Sequence, residues 1–312
     1  MILLYQVYRE KEKGYNKTNC RNDNISGRHV LMKKKIGLGM GIRLKSSIFG
    51  EPIRALVFDV ETHNAVPFDK LRGIEPPWTC SSIAELAFVY MEDGEIIDTH
   101  SIYIIPPEGV TVNNPFSPNV THERCVELGK TPVDALSLFL KYLRKTDYIV
   151  GHNIRFDIGM IVTELTRTPM QFQTLFKSVL SEKNVWCTMN KSSCDGWYVR
   201  PKLVELAEAA GIKVDNTKLH DAIYDVDICS KVFKIQSDSL EGIIAPKRLA
   251  FPKKYSYGKS DPDAISMGLK WDPNVSRWWY YDTPSNNERI KKFILSRKMM
   301  FIQNNTSYSD ML

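Results

Sequence analysis

Apolar and polar positions first alternate clearly in "RALVFDVET", Arg54 to Thr62. Leu56, Phe58 and Val60 fall on one face of an extended segment, and Val57, Asp59 and Glu61 on the other. "SIAELAFVYM" and "THSIYII" repeat the two-residue period, and Asp93-Gly94 between them is a hairpin signal. The second and third strands are therefore expected to be antiparallel, with Pro106-Pro107 closing the meander. The period then changes. "TPVDALSLFLKYLRK" has a capping Thr131, Pro132 at the first helical position, and Ala135, Leu136, Phe139, Leu140 and Leu143 along one stripe. "DYIVGHN" is a short buried strand running into a turn, and "FDIGMIVTELTR" restores helical spacing. "PKLVELAEAAGI" is a helix stopped at Gly211. "HDAIYDVDICSKVFKI" is the last long helix of this block, with Ala222, Val226, Cys229 and Phe233 in line.

Three strands, a helix, a strand and then helices predict an α/β domain: a mixed β-sheet flanked by helices, ending near Gln236. The expected boundaries are a basic, unstructured leader over 1–50, the main domain over 51–240, and a linker over 241–254. A small Trp-rich α+β module over 255–304 and a polar tail over 305–312 complete the chain. In the module, "DPDAISMGLKWDPNVSRWWYYD" reads as a short helix closed near Gly268, a turn at Asp272-Pro273 and a strand through Trp278, Trp279 and Tyr280. Trp271 and Trp278 are its expected core. The mixture of cations and aromatics also suits stacking on single-stranded nucleic acid.

Charge changes the picture more than composition does. Residues 1–50 carry 11 Lys/Arg against 3 Asp/Glu, 51–240 carry 19 against 26, and 241–312 carry 12 against 7. An acidic middle between basic ends suits a carboxylate-lined site whose polyanionic partner is held by the flanks. No apolar run approaches the roughly 20 residues of a membrane span. The six cysteines include no C-x-x-C pair, which argues against a zinc cluster or a disulfide framework and for a reducing, intracellular setting, whether cytoplasm, nucleoid, nucleus or viral replication site.

A lone D-x-E pair is weak evidence of chemistry, since most such pairs are solvated. Here Asp59 and Glu61 end an apolar strand, where unpaired carboxylates are costly to bury. Asp157 follows a second short strand, and Asp225 sits beside the buried stripe of the last helix. Four acids converging on one end of a sheet require a cation between them. All-oxygen donors favour two Mg²⁺ or Mn²⁺, which about 3.5–4 Å apart would clamp a phosphodiester. His220, five residues before Asp225, is the candidate base.

"FDVET", "GHNIRFDIGMI" and "HDAIYDVDI" resemble the three exonuclease motifs of the DnaQ-like (DEDDh) 3′–5′ exonucleases, a branch of the RNase H-like fold that includes proofreading epsilon subunits, RNase T and oligoribonuclease. The likeness spans about Arg54 to Gln236. It implies an RNase H-like sheet, metal-binding acids at Asp59, Glu61, Asp157 and Asp225, and a general base at His220. The sister branch has Y-x-x-x-D, and Asp221 stands where that tyrosine would be. Thr62 and Asn153 resemble contacts to the terminal nucleotide, Asn153 equally a turn former; His152 is read as structural. "SPNVTHERC" occupies a substrate-side loop but lacks the hydrophobic-Thr pair that relatives carry after His122. The implied activity is metal-dependent hydrolysis at single-stranded 3′ ends, DNA favoured, releasing nucleoside monophosphates in proofreading or repair. An exoribonuclease of the same fold, or an accessory subunit docking on a polymerase, are the rival readings. Several relatives form homodimers, so the resemblance also allows a homodimer here.

Overall fold

The computed structural model describes residues 52–64, 81–189, 201–238, 248–251, 258–273 and 276–309. The expected leader 1–50 and three cysteines (Cys20, Cys80 and Cys194) lie outside them.

The main domain contains β1 (Arg54–Thr62), β2 (Ile83–Glu92), β3 (Glu95–Tyr103), α1 (His122–Glu127), α2 (Pro132–Leu143), β4 (Tyr148–Gly151) and α3 (Arg155–Leu165). It continues with α4 (Met170–Ser181), β5 (Asn184–Cys187), α5 (Leu203–Ala209) and α6 (Ala222–Asp238). The sheet order is β3-β2-β1-β4-β5. β1 pairs antiparallel with β2 and parallel with β4, so it is the central strand where the meander meets the parallel half. This is the RNase H-like mixed sheet flanked by helices that the sequence implies.

The alternation of β1 sorts the core into two layers. Leu56, Phe58 and Val60 face α2 and α3, and Phe58 meets Phe139 edge to face at 5.2 Å. Ala55 and Val57 face α6 through Ala222, Val226, Cys229 and Phe233, the stripe read from the sequence. Asp59 and Glu61 continue the second face toward the strand's C-terminal end. The first turn of α6 therefore lies on the acid side of the sheet.

Three elements were not anticipated. β5 has only four residues, too few for a period to show. α4 begins after Pro169 with no side-chain cap and leaves Met170 and Leu175 exposed, which blurs its stripe. α1 is a short helix of six residues. The last long helix starts at Ala222 rather than His220, because Asp221 caps it: Asp221 Oδ1 accepts from Tyr224 N at 3.3 Å.

The small module contains β6 (Arg248–Ala250), α7 (Pro262–Ser266), β7 (Lys270–Asp272), β8 (Arg277–Tyr281) and α8 (Pro284–Ser309), its sheet ordered β6-β8-β7. Two expected boundaries shift. Residues 248–250 belong to the sheet rather than to a linker, and α8 runs past 304 because no Gly or Pro interrupts 285–309. Trp278 is buried and meets the partly buried Trp271 at 5.3 Å. Asp261 caps α7 and also takes a bidentate pair of bonds from the buried Arg297, both 2.7 Å, which fastens α8 to the module.

The module rests on α5. Glu205, buried at the first turn of α5, accepts from Lys202 N at 2.8 Å and from Asn286 Nδ2 at 3.0 Å. Ser285 N donates to Glu208 at 3.3 Å, and Asn216 Nδ2 donates to Ser285 Oγ at 3.4 Å.

Candidate active site

Asp59 and Glu61 lie at the end of β1, opposite Ala87 and Glu85 of β2. Asp157 is in the first turn of α3 and is 2 % exposed. It reaches the same place because β4 presses against β1: a Cβ on Gly151 would lie 3.2 Å from Phe58 O. The chain then turns through Asn153, whose φ of +65° is left-handed, and α3 begins. Asp157 Oδ1 accepts from Val60 N at 3.3 Å, so the second motif is tied to the backbone between the two acids of the first.

Asp225 lies in the first turn of α6. Its Oδ2 accepts from His220 N at 3.3 Å, which folds the preceding turn back over the helix start. His220 adopts φ +67° and is exposed. Ligand atoms of Glu61, His220 and Asp225 lie within 4.8 Å of one another. Asp59 and Asp157 stand outside that trio but inside the same acid group, since Asp157, Glu61 and Asp225 all raise the Asp59 carboxyl and Asp157 also raises that of Glu61.

The electrostatics follow from burial and like charge. Burial, then Asp157, Glu61 and Asp225, hold the Asp59 carboxyl well above the usual range. Burial pushes Glu61 to about 8, opposed by a hydrogen bond from Ser117. Burial pushes Asp157 to about 8, opposed by main-chain N–H groups including that of Val60. Asp225 rises to about 6, again mainly through burial. Asp225 Oδ1 is buried with no hydrogen-bond partner. An orphaned carboxylate oxygen among acids that resist ionisation is the arrangement a divalent cation would satisfy, so the residues present fit hard-metal binding.

The other expected site residues are placed differently. Thr62 is buried, donates its hydroxyl to Asn64 O at 2.8 Å and accepts from Asn114 Nδ2 at 3.3 Å. Asn153 makes the turn before α3, its main-chain oxygen accepting from Phe156 N at 2.9 Å. His152 is bonded on both ring nitrogens, to Thr188 Oγ1 at 2.9 Å and Pro201 O at 3.1 Å, which fits a structural role.

Two neighbours escaped the sequence reading. Glu85 is buried and directly opposite Glu61, and it accepts from Ser101 Oγ at 2.5 Å. Ser117 donates its hydroxyl to Glu61 Oε2. The alternation of "IAELA" could have put Glu85 on the acid face once the register was known. No periodic signal marks Ser117.

The family model for the RNase T group, described as an exonuclease, matches residues 56–233. No curated protein matches the chain. Among solved structures, Escherichia coli exonuclease I in complex with a dA16 oligonucleotide is similar at a TM-score of 0.42 and 17% identity, over 59% of this chain and 40% of that one. The same enzyme with a dT13 oligonucleotide gives a TM-score of 0.43 and 18% identity, over 59% and 40%. The match thus spans well under half of those exonuclease I chains.

Proposed function

The chain belongs to the RNase T exonuclease family, and from that premise we propose that it is a metal-dependent 3′–5′ exonuclease acting on single-stranded DNA ends and releasing nucleoside monophosphates. The observation that carries this reading is the gathering of Asp59, Glu61, Asp157 and Asp225 at one end of β1, with His220 on the open side. Asp59, Glu61, Asp157 and Asp225 would hold two Mg²⁺ or Mn²⁺. When bound, these ions neutralise the acids and polarise the scissile phosphate.

The protein's own groups then do the following. His220, exposed and held at the rim by its backbone bond to Asp225, takes a proton from the attacking water at an imidazole nitrogen. Water oxygen bonds to the terminal phosphorus as the bond from that phosphorus to the preceding nucleotide's 3′ oxygen breaks. The departing 3′ oxygen takes a proton from solvent, so the products are a nucleoside 5′-monophosphate and a strand one residue shorter, with a new 3′-OH.

Among the described residues no helix is long and apolar enough to cross a membrane. Among the described residues Cys125, Cys187 and Cys229 are buried and in no disulfide, as suits a reducing compartment.

The test uses DNA and RNA of one sequence, each labelled at the 5′ end, with Mg²⁺ or with EDTA. A ladder shrinking from the 3′ end of DNA, absent with EDTA, is expected. Label released at once as mononucleotide reverses the polarity, and a ladder on RNA alone makes the protein an exoribonuclease.

A further inference from the structure

Glu61 faces an unusual neighbour. β1 and β2 are in register so that Glu61 stands directly across from Glu85, and like charges directly opposite in a sheet repel. Immediately beyond this pair the register slips: Glu61 opposes Glu85 while Thr62 opposes Ile83, which leaves Ala84 as the extra residue of a bulge. Bulges re-aim side chains. At this point, then, the strand geometry leaves the direction of the Glu61 side chain to be set from outside the ladder.

A loop does so. Asn113 N donates to His63 O at 2.7 Å, and Asn114 Nδ2 donates to Thr62 O at 3.1 Å, so the loop is fastened to the residues that follow Glu61. Asn114 Oδ1 accepts from Phe116 N at 3.0 Å and its main-chain oxygen accepts from Ser117 N at 3.1 Å, closing a tight turn. Val120 N then donates to Ser117 O at 3.0 Å. This turn carries Ser117 inward to complete burial, with 0 % exposure, although its neighbour Phe116 is 62 % exposed. The Ser117 hydroxyl donates to Glu61 Oε2, while Ser101 donates to Glu85. Each of the two opposed carboxylates thus has a hydroxyl from a different segment, and the two are held by separate partners.

We propose that Ser117 is a positioning residue for Glu61, holding one carboxylate oxygen so that the other is presented to a divalent cation alongside Asp225. The proposal rests on the reading of Glu61 as a metal ligand. Hydroxyl and amide partners behind a ligand fix its orientation, and their loss costs about 10–100-fold in metal affinity. Ser117 itself is not a ligand in this account. It acts through Glu61.

The test is calorimetric titration of Mn²⁺ into the full chain without nucleic acid, for the natural protein and for Ser117→Ala, Ser117→Cys and Ser117→Thr. Melting in EDTA checks that each variant is folded. Ser117→Ala and Ser117→Cys are expected to bind Mn²⁺ about 10-fold or more weakly, and Ser117→Thr, which keeps the hydroxyl, to recover most of the affinity. If Ser117→Ala does not fold, the contrast between Cys, of similar volume, and Thr decides the matter. Equal Mn²⁺ affinity across the variants overturns the role of Ser117 and leaves the metal reading standing. No Mn²⁺ binding by the natural protein overturns both.

Discussion

The main-chain N–H of Val60 donates to Asp157 Oδ1 at 3.3 Å, so an acid from α3 is held by the backbone between Asp59 and Glu61. The bond brings together residues 97 apart in the chain. It also separates what Asp157 does for the fold from what its charge does for the site.

Asp157→Asn keeps the accepting oxygen and removes the charge. In EDTA near neutral to mildly alkaline pH the variant is expected to melt higher than the natural protein, because it removes a carboxyl that burial keeps from ionising and, with it, the repulsion that Asp59 would meet. Each kcal/mol gained raises Tm by about 2–4 °C in a domain of this size. Scanning calorimetry measures it; an equal or lower Tm contradicts the account of the acid group.

The same group predicts a pH dependence. Glu61 and Asp157 titrate at about 8 and Asp225 at about 6 in the folded protein. In an unfolded chain such groups titrate at about 4. Between those values the folded state keeps protons that the unfolded chain has released, so metal-free stability falls as pH rises toward 8 and is greatest at the acid end of the window. Mg²⁺ binds the ionised site of the folded state and offsets the loss. The Tm difference between Mg²⁺ and EDTA should therefore widen as pH rises; a gap that is constant or narrows counts against it.

The fold was legible where periods were long. The faces of β1, the Asp93-Gly94 hairpin and the α6 stripe could be read directly, because alternation and a 3.6-residue spacing are set by which side is buried. The four acids were legible for a related reason: charge at the end of an apolar strand conflicts with local burial, and such conflicts mark sites. Ser117 and Glu85 were not. Ser117 reaches Glu61 through a turn built on Asn114, and Glu85 meets it through register, neither of which leaves a period in the sequence. The module's seat on α5 depends on single side chains, Glu205 and Asn286, that look like ordinary surface polar residues until they are paired.

His220→Asn tests the base with little disturbance, because asparagine tolerates the left-handed backbone that His220 adopts at φ +67°. Cleavage is expected to fall about 10²–10⁴-fold. Metal-free Tm should stay close to that of the natural protein. A variant that retains full rate removes His220 from the chemistry.

Asn286→Ala leaves Glu205 Oε1 without its donor from α8. The buried carboxylate then loses a hydrogen-bond donor, and the cost is expected at about 1–3 kcal/mol. Urea unfolding followed by tryptophan fluorescence reads it. Unchanged stability would mean that the module is not seated on α5 through this pair.

The most direct test of the central claim compares nucleotide release from single-stranded DNA by the natural protein and by Asp157→Asn, in Mg²⁺ and in EDTA. The account predicts monophosphate release by the natural protein in Mg²⁺ alone, with Asp157→Asn reduced to the level seen in EDTA while remaining folded. Cleavage by Asp157→Asn at the natural rate, or cleavage that persists in EDTA, would contradict it.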